Sequence, residues 1–332
     1  MRAARTSAAL ILGCLALWAS PSVAQAPSAQ TSPGQAWPQR SVRFILPLGP
    51  GSGTDIGARL LSDKLSQRWG QPVVVENRPG GDGVVAIGAF VSAKDDHILL
   101  FAPTSSFTAH PYMHDNLPYK PGDLAPIARV SNTLISQSVP ADLPVNSMKE
   151  LVAYIRANPG KVNWAGVTGA LSFLWEGFLK TEGLDMAKVP YRNAVDAAND
   201  LAQGRVQFYR AALAIVQPQV EAGKIKVIAM SNSTRAPAAP NVPTVAEAGY
   251  PSLEFDGLVG LFGPPSMPMA LRERIAADVK AVMAADPMIG DRLVRTGQIV
   301  NPGGPAEFAS SVDDQRARVA AAANATGVKP KQ

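Results

Sequence analysis

Residues 42–55 read Val42-Arg-Phe-Ile-Leu-Pro-Leu-Gly-Pro-Gly-Ser-Gly-Thr-Asp55. The apolar run Val42–Pro47 has the length of a buried strand. From about Asp55 a helix follows, in which Ile56, Leu60, Leu61, Leu65 and Trp69 recur at helical spacing until Gly70 stops it. Strand, glycine loop and helix together open an α/β sheet, and such sheets bind ligands outside the carboxyl ends of their strands. Gly49, Gly51 and Gly53 let several backbone N–H groups converge on one point. The helix behind them adds partial positive charge, so the loop suits an anion such as a carboxylate. An ordinary strand-to-helix turn is written the same way, and the loop alone leaves both readings open.

Nucleotide chemistry does not fit this loop. A phosphate-gripping Walker loop ends in Gly-Lys-Ser/Thr, and no lysine is present here. The dinucleotide pattern needs a third glycine where Thr54 stands. A nucleophile elbow needs glycines two residues either side of Ser52, where Pro50 and Thr54 are found.

Strand and helix signals keep alternating downstream. Val73–Glu76 and Ile98–Phe101 read as strands, with a Pro/Gly loop at Arg78–Gly83 between them. Ser147-Met-Lys-Glu150 is a capping box opening a helix with Leu151, Val152 and Ile155 on one face, and Thr244-Val-Ala-Glu247 is a second one. Strands are expected at Val162–Ala165, Arg205–Tyr209 and Ile225–Met230. Helices are expected at Ser172–Lys180, Asn193–Gln203, Leu271–Ala285 and Ala306–Ala323. The alternation predicts parallel sheets with helices on both faces, and 332 residues are enough for two of them side by side.

Composition narrows the class further. Apolar residues make up 46% and charged residues 17%, a globular balance that excludes a disordered chain. The net charge of +5 is thinly spread, without the Lys/Arg run that tracks a nucleic-acid backbone, so no nucleic-acid partner is expected. The single cysteine, Cys14, excludes a disulfide framework and a cysteine-based zinc site. Arg2 and Arg5 followed by the 11 apolar residues Ala8–Trp18 form a secretory signal, too short to span a bilayer. Ser22-Val-Ala24 predicts cleavage before Gln25; a lipoprotein box ending at Cys14 is the weaker alternative because that cysteine falls inside the apolar run. Cleavage removes Arg2 and Arg5, leaving +3 and no cysteine on an exported chain that begins with a Pro/Ser/Gln-rich leader, residues 25–37. His97, His110 and His114 are the only histidines. Pro111 argues against one helix presenting His110 and His114 to a metal, so both are expected as polar loop residues, with no metal and no cofactor. Nothing marks a nucleophile, so no catalytic residue is assigned.

Many ordered motifs from about Trp37 onward now bear on the family. They include Val42-Arg-Phe-Ile-Leu-Pro47, Pro50-Gly51, Thr54-Asp55, Gly70-Gln-Pro-Val-Val-Val-Glu-Asn-Arg-Pro-Gly80 and Leu117-Pro-Tyr119 with Asp123–Pro126. Asn158-Pro-Gly-Lys161, Val189-Pro-Tyr-Arg192, Glu221-Ala-Gly-Lys224, Val242-Pro-Thr-Val-Ala-Glu-Ala-Gly249 and Gly260-Leu-Phe262 continue the series. In order and spacing the chain resembles the periplasmic substrate-binding receptors of tripartite tricarboxylate transporters, the Bug family. The resemblance implies a type II periplasmic-binding-protein fold, α/β, with two lobes closing over a small carboxylate and presenting it to a membrane permease. It places lobe 1 at residues 38–135 and 255–332 and lobe 2 at 136–254.

The family's ligand loops fall on Leu48, Gly49, Gly51, Ser52, Gly53, Thr54 and Asp55, and on Thr104, Ser105, Ser106 and Phe107 of the first lobe. In the second lobe they fall on Thr168, Gly169 and Phe173, on Tyr191, Asn193 and Asp196, and on the turn around Arg210. The departures from the family lie in these same loops. Ser52 and Asn193 replace glycines, Phe173 replaces a polar residue, and Arg210 stands where relatives often carry Asp. Arg210 is therefore expected either to pair with a distal carboxylate, favouring diacids, or to sit on the lobe rim in solvent. Phe107 and Phe173 would be the platforms for an aromatic acid. The expected protein is a monomeric solute receptor and not an enzyme. A sensor feeding a membrane signalling protein is the alternative, and a periplasmic hydrolase using one of the histidines ranks behind both.

Overall fold

The computed structural model describes residues 37–166, 169–191 and 193–331; the expected signal peptide, the leader before Trp37 and Thr168 lie outside them. Trp37–Gln332 is one compact unit. The chain starts with β1 (Val42–Leu46), α1 (Gly53–Trp69), β2 (Val73–Asn77), α2 (Val84–Ala93), β3 (Ile98–Pro103), the short α3 (His110–Met113) and β4 (Ala125–Thr133). It then runs through β5 (Ile135–Pro140), α4 (Met148–Ala157), β6 (Asn163–Gly166), α5 (Ala170–Thr181), β7 (Ala187–Pro190), α6 (Ala194–Ala202), β8 (Phe208–Ala212), α7 (Leu213–Glu221) and β9 (Ile225–Met230). It returns through β10 (Gly257–Gly263), α8 (Met269–Ala285), α9 (Pro287–Arg295), β11 (Gln298–Gly303) and α10 (Pro305–Thr326).

Two sheets result, one per lobe. The first has the order β11-β4-β10-β3-β1-β2 and the second β7-β6-β8-β5-β9. Alternating side chains load both faces of each. In β1, Phe44 and Leu46 join α1, α8 and α9, while Ile45 turns to the opposite core under α2 and α10. In β8, Phe208 packs beneath α4 and α5, while Tyr209 and Ala211 pack on α6 and α7.

The sheets are mixed rather than parallel, which corrects the sequence expectation. β10 runs antiparallel to β3 and β4, and β5 antiparallel to β8 and β9. The cause is topological: the chain passes once from each sheet into the other, and the strand entering a sheet arrives against its direction. Two local expectations also shift. The strand expected at Arg205–Tyr209 begins at Phe208, because the Arg205 N–H is held by the Asp200 carbonyl (2.9 Å) and its guanidinium by the Asp200 carboxylate (2.7 Å). Thr244 and Glu247 do form a reciprocal capping pair, with bonds of 2.8 and 3.1 Å, but Gly249 at φ 90° ends the segment as a turn.

The outward crossing is one residue long. Leu134 donates its N–H to the Gly297 carbonyl and accepts from the Leu213 N–H, both at 2.8 Å. Asn232, buried on the return crossing, straddles it. Its Oδ1 accepts from the Ile135 N–H (2.8 Å), and its Nδ2 donates to the Thr133 carbonyl (3.0 Å) and to Asp256 Oδ1 (3.2 Å). A second seam joins the lobes where α10 lies on α5. There a Cβ on Gly177 would stand 2.8 Å from Ala322 Cβ, so only glycine permits this approach. Replacing Asn232 by Leu leaves backbone groups on both sides of Leu134 unpaired in a dry site. We expect urea denaturation of the variant to show a loss of about 2–4 kcal/mol.

Candidate functional site

The glycine loop sits at the carboxyl end of β1 and is partly closed by its own side chains. Ser52 caps α1, its hydroxyl accepting from the Asp55 N–H at 3.2 Å. Asp55 reaches back, its carboxylate accepting from the Gly51 N–H at 2.9 Å. Asn77 joins the Leu48 carbonyl to Asp55, with both bonds at 2.9 Å, and Arg59 lies 3.1 Å from both carboxylate oxygens. Burial alone would raise the Asp55 carboxyl, but the bonds from Arg59, the Gly51 amide and Asn77 hold it below its ordinary value. Two amides that the sequence offered to a ligand are thus already taken. Ser52 in particular spends its hydroxyl on the cap. Gly49 stands in open space at the loop's start. At the helix head, Gly53 and Thr54 are among the first-turn N–H groups that a helix cannot bond internally, and no partner for either is found among the described residues. Gly53 is itself wedged against β11, its carbonyl accepting from Gln298 Nε2 at 2.8 Å.

Across from this loop, the carboxyl ends of the other parallel strands converge. Gly83, after β2, lies against Pro47 and Ser106, with its missing Cβ 3.3 and 3.5 Å from their Cβ atoms. Gly169, after β6 in the second lobe, packs on the first lobe: its missing Cβ would be 3.3 Å from the Ser105 carbonyl oxygen and 3.8 Å from Asp82 Oδ1. Gly169 is also the N-cap of α5, without a side-chain cap. α7, after β8, likewise starts uncapped, and its Ala214 N lies 3.0 Å from the Cβ that Gly297 lacks. Three helix heads, those of α1, α5 and α7, therefore stand along one seam, and their dipoles favour negative charge there.

Arg210 is not in a turn. It lies within β8, only 5% exposed, and the solvent-rim expectation is corrected accordingly. Its Nε donates to Ser231 Oγ (3.2 Å) and Nη2 to the Leu253 carbonyl (2.7 Å), while Nη1 has no partner. Burial pushes its pKa down to about 9, leaving it charged at neutral pH.

The remaining expected residues divide. Ser105 and Ser106 are half-buried at the seam, whereas Thr104 is buried with its hydroxyl on Gln315 Oε1. Tyr191 gives its hydroxyl to Asp200 (2.7 Å), and burial with that bond pushes its pKa up to about 12. Asn193 caps α6 by accepting from the Val195 N–H at 2.9 Å, and Asp196 in the same helix turn is exposed. The Phe107 ring is buried edge-on against Phe262 (5.3 Å), beside a cavity of about 250 Å³ that it shares with Pro111, Tyr112, Tyr119 and Arg316. Phe173 stacks on Tyr112 of the first lobe at 5.7 Å. Sequence reasoning missed Asp82, Gln137 and Ser231. A signal for Asp82 existed, since Pro79-Gly-Gly-Asp-Gly83 is a second glycine loop at a strand end. The two buried strand-side residues carried none.

Comparison with known proteins bears on this arrangement. The profile of TctC, described as the tripartite tricarboxylate transporter family receptor, matches residues 57–327. The chain belongs to that family. It is 31% identical to the protein BugT of Bordetella pertussis over 260 residues, covering 75% of this chain and 80% of BugT. A solved periplasmic transporter superposes with a TM-score of 0.75 at 30% identity, over 89% of this chain and 99% of that one. A protein of R. palustris solved with adipate superposes with a TM-score of 0.75 at 26% identity, over 89% and 100%. This is a family of periplasmic binding proteins and not of enzymes.

His110 has a structural place in this TctC receptor. His110, expected in a polar loop, is fully buried at the start of α3, where Pro111 is tolerated in the first turn. With Asp82 and His114 it forms a cluster whose donor atoms lie within 4.8 Å of one another. The carbonyl of Asp82 can only accept, so His110 Nε2–H donates to it (2.9 Å) and Nδ1 accepts from the Tyr119 hydroxyl (2.5 Å). Both ring nitrogens are occupied, and His110 has no lone pair to offer an ion. Burial first, and His114 second, lower its pKa to about 4.

Two outcomes follow from these bonds. His110 titrates near 6.5 when unfolded and near 4 when folded, so the unfolded chain binds the extra proton between those values. Its contribution is complete above pH 6.5 and declines as pH falls toward 4, on the order of 2–3 kcal/mol. His110→Gln should flatten that limb of the stability profile in denaturant titrations at stepped pH. Asp55→Ala leaves the Gly51 amide, Asn77 and Arg59 without their shared carboxylate, and chemical denaturation should register a cost of about 1–2 kcal/mol.

Proposed function

We propose that this TctC receptor, exported and monomeric, binds a small dicarboxylate between its two lobes and delivers it to the membrane subunits of a tripartite tricarboxylate-type permease. The observation that carries the reading is the seam itself. Strand ends of both sheets and the heads of three helices meet there, and the second lobe holds within β8 a buried arginine with no counter-charge among the described residues. A carboxylate at each end of the ligand would be matched by amides from either lobe. The relative solved with adipate supports a diacid of modest length. We place no aromatic ring on Phe107 or Phe173, because both rings already have protein partners across well-packed contacts.

Binding then works as a shift of population. Contacts that need both lobes exist only when the lobes are together, so the ligand favours the closed form that a permease could recognise. A thermal-shift screen of the mature chain against mono-, di- and tricarboxylates tests this. Dicarboxylates at a hundredfold excess over Kd should stabilise the protein by about 2.7 kcal/mol and raise its melting temperature by several degrees. Absence of a shift with every carboxylate at millimolar concentration overturns the proposal.

A further inference from the structure

Among the described residues two arginines are buried, and their surroundings differ in one respect. Arg129 is 6% exposed and fully engaged: Nε and Nη2 donate to Asn301, Nη1 to Ser311 Oγ, and Nη2 also to the Glu307 carboxylate. Arg210 has no carboxylate within ion-pair reach among the described residues, and none of them pairs with its Nη1. Leaving a guanidinium in a dry site without a counter-charge is among the most costly arrangements a protein can hold.

The position of Arg210 says where the missing charge belongs. Trp175 of α5 stacks on Phe208 at 4.0 Å, and Arg210 is two residues further along the same face of β8. α5 runs back along the sheet from the end of β6, so its first turn, from Gly169, lies toward the end of β8 to which Arg210 is nearer than Phe208. Gly169 is the point at which the second lobe touches Ser105 of the first. Guanidinium and helix head thus add their positive potentials at the same end of the second sheet. Gln137, paired with Arg210 across β5 and β8, gives its Nε2 to Ser231 Oγ at 2.6 Å and so holds the same serine that receives Arg210 Nε. That shared serine fixes the guanidinium while leaving Nη1 undirected by protein.

We infer that Arg210 is the specificity-determining residue of the site: its Nη1, with the head of α5, takes the second carboxylate of the ligand and so selects diacids over monoacids of the same length. The inference rests on the receptor reading above. The cost of burying the cation is offset only when a doubly charged ligand is present, and a monoacid leaves it uncompensated.

Isothermal titration with adipate against hexanoate, and succinate against butyrate, tests it on the mature protein. Wild type should favour each diacid over its monoacid by roughly 10- to 100-fold, the range of a desolvated charge-assisted bond. Arg210→Gln should bring each ratio to within about threefold of unity, and Arg210→Lys should keep part of it, because the charge survives and the planar fork does not. Equal affinity of wild type for the two members of each pair overturns the inference without any variant, so a misfolded Arg210→Gln leaves it testable. An unchanged ratio in Arg210→Gln also overturns it while leaving the receptor reading intact. Failure of wild type to bind any of the four acids brings down both.

Discussion

Leu134 is bonded through its two backbone groups to opposite halves of the molecule, and the geometry of the site depends on that. Its N–H reaches Gly297 at the entry to β11, and its carbonyl receives Leu213 at the head of α7. One residue therefore sets the distance between the edge of the first sheet and a helix head of the second. Asn232 repeats the constraint from the return segment, bonding either side of Leu134 from a fully buried position. Buried amide networks of this kind are rigid when every group is satisfied.

Electrostatics at the seam is unevenly divided between the lobes. The first lobe closes much of its own loop: Asp55 sits where an anion could have sat, neutralised by Arg59 and held by Gly51 and Asn77. The second lobe holds a buried guanidinium and two helix heads without side-chain caps, with Asp196 out in solvent. Positive potential is concentrated on the second lobe, while the loop of the first contributes shape and the remaining amides of the α1 head. Asp82 is held in a left-handed backbone conformation, φ 57°, and brings a carboxylate to the same seam, where His110 grips its carbonyl. Backbone strain of this sort tends to be retained where a site needs it.

The strand–loop–helix start, the helices over Leu151–Ile155 and in the C-terminal third, and the α/β class were legible because each rests on local periodicity or a local cap. β4, β5, β10 and β11 were not. Ala125–Thr133 and Gln298–Gly303 mix polar and apolar residues without a clean period, because their pairing is set by distant partners. Gly257–Gly263 is a buried run whose glycines suggest a loop, yet Gly260 is small because the Phe308 ring lies over it. Site residues divide along the same line. Glycine loops announce themselves, whereas Ser105 and Ser106 came only with the family resemblance. Whether a polar side chain is free for a ligand is decided by which neighbour reaches it: Gln315 takes Thr104 across 211 positions, and Asp200 of α6 takes Tyr191 from the loop before that helix. The distinctiveness of Arg210 could be read from the sequence, but its burial could not.

Gly169 has a positive φ of 101°, and a side chain there would meet the Ser105 carbonyl at 3.3 Å. Its hydrogen atom is in effect the doorstop of the molecule, and the smallest one available. At Gly169, as at Gly177, the nearness of the two halves is written as the absence of a methyl group.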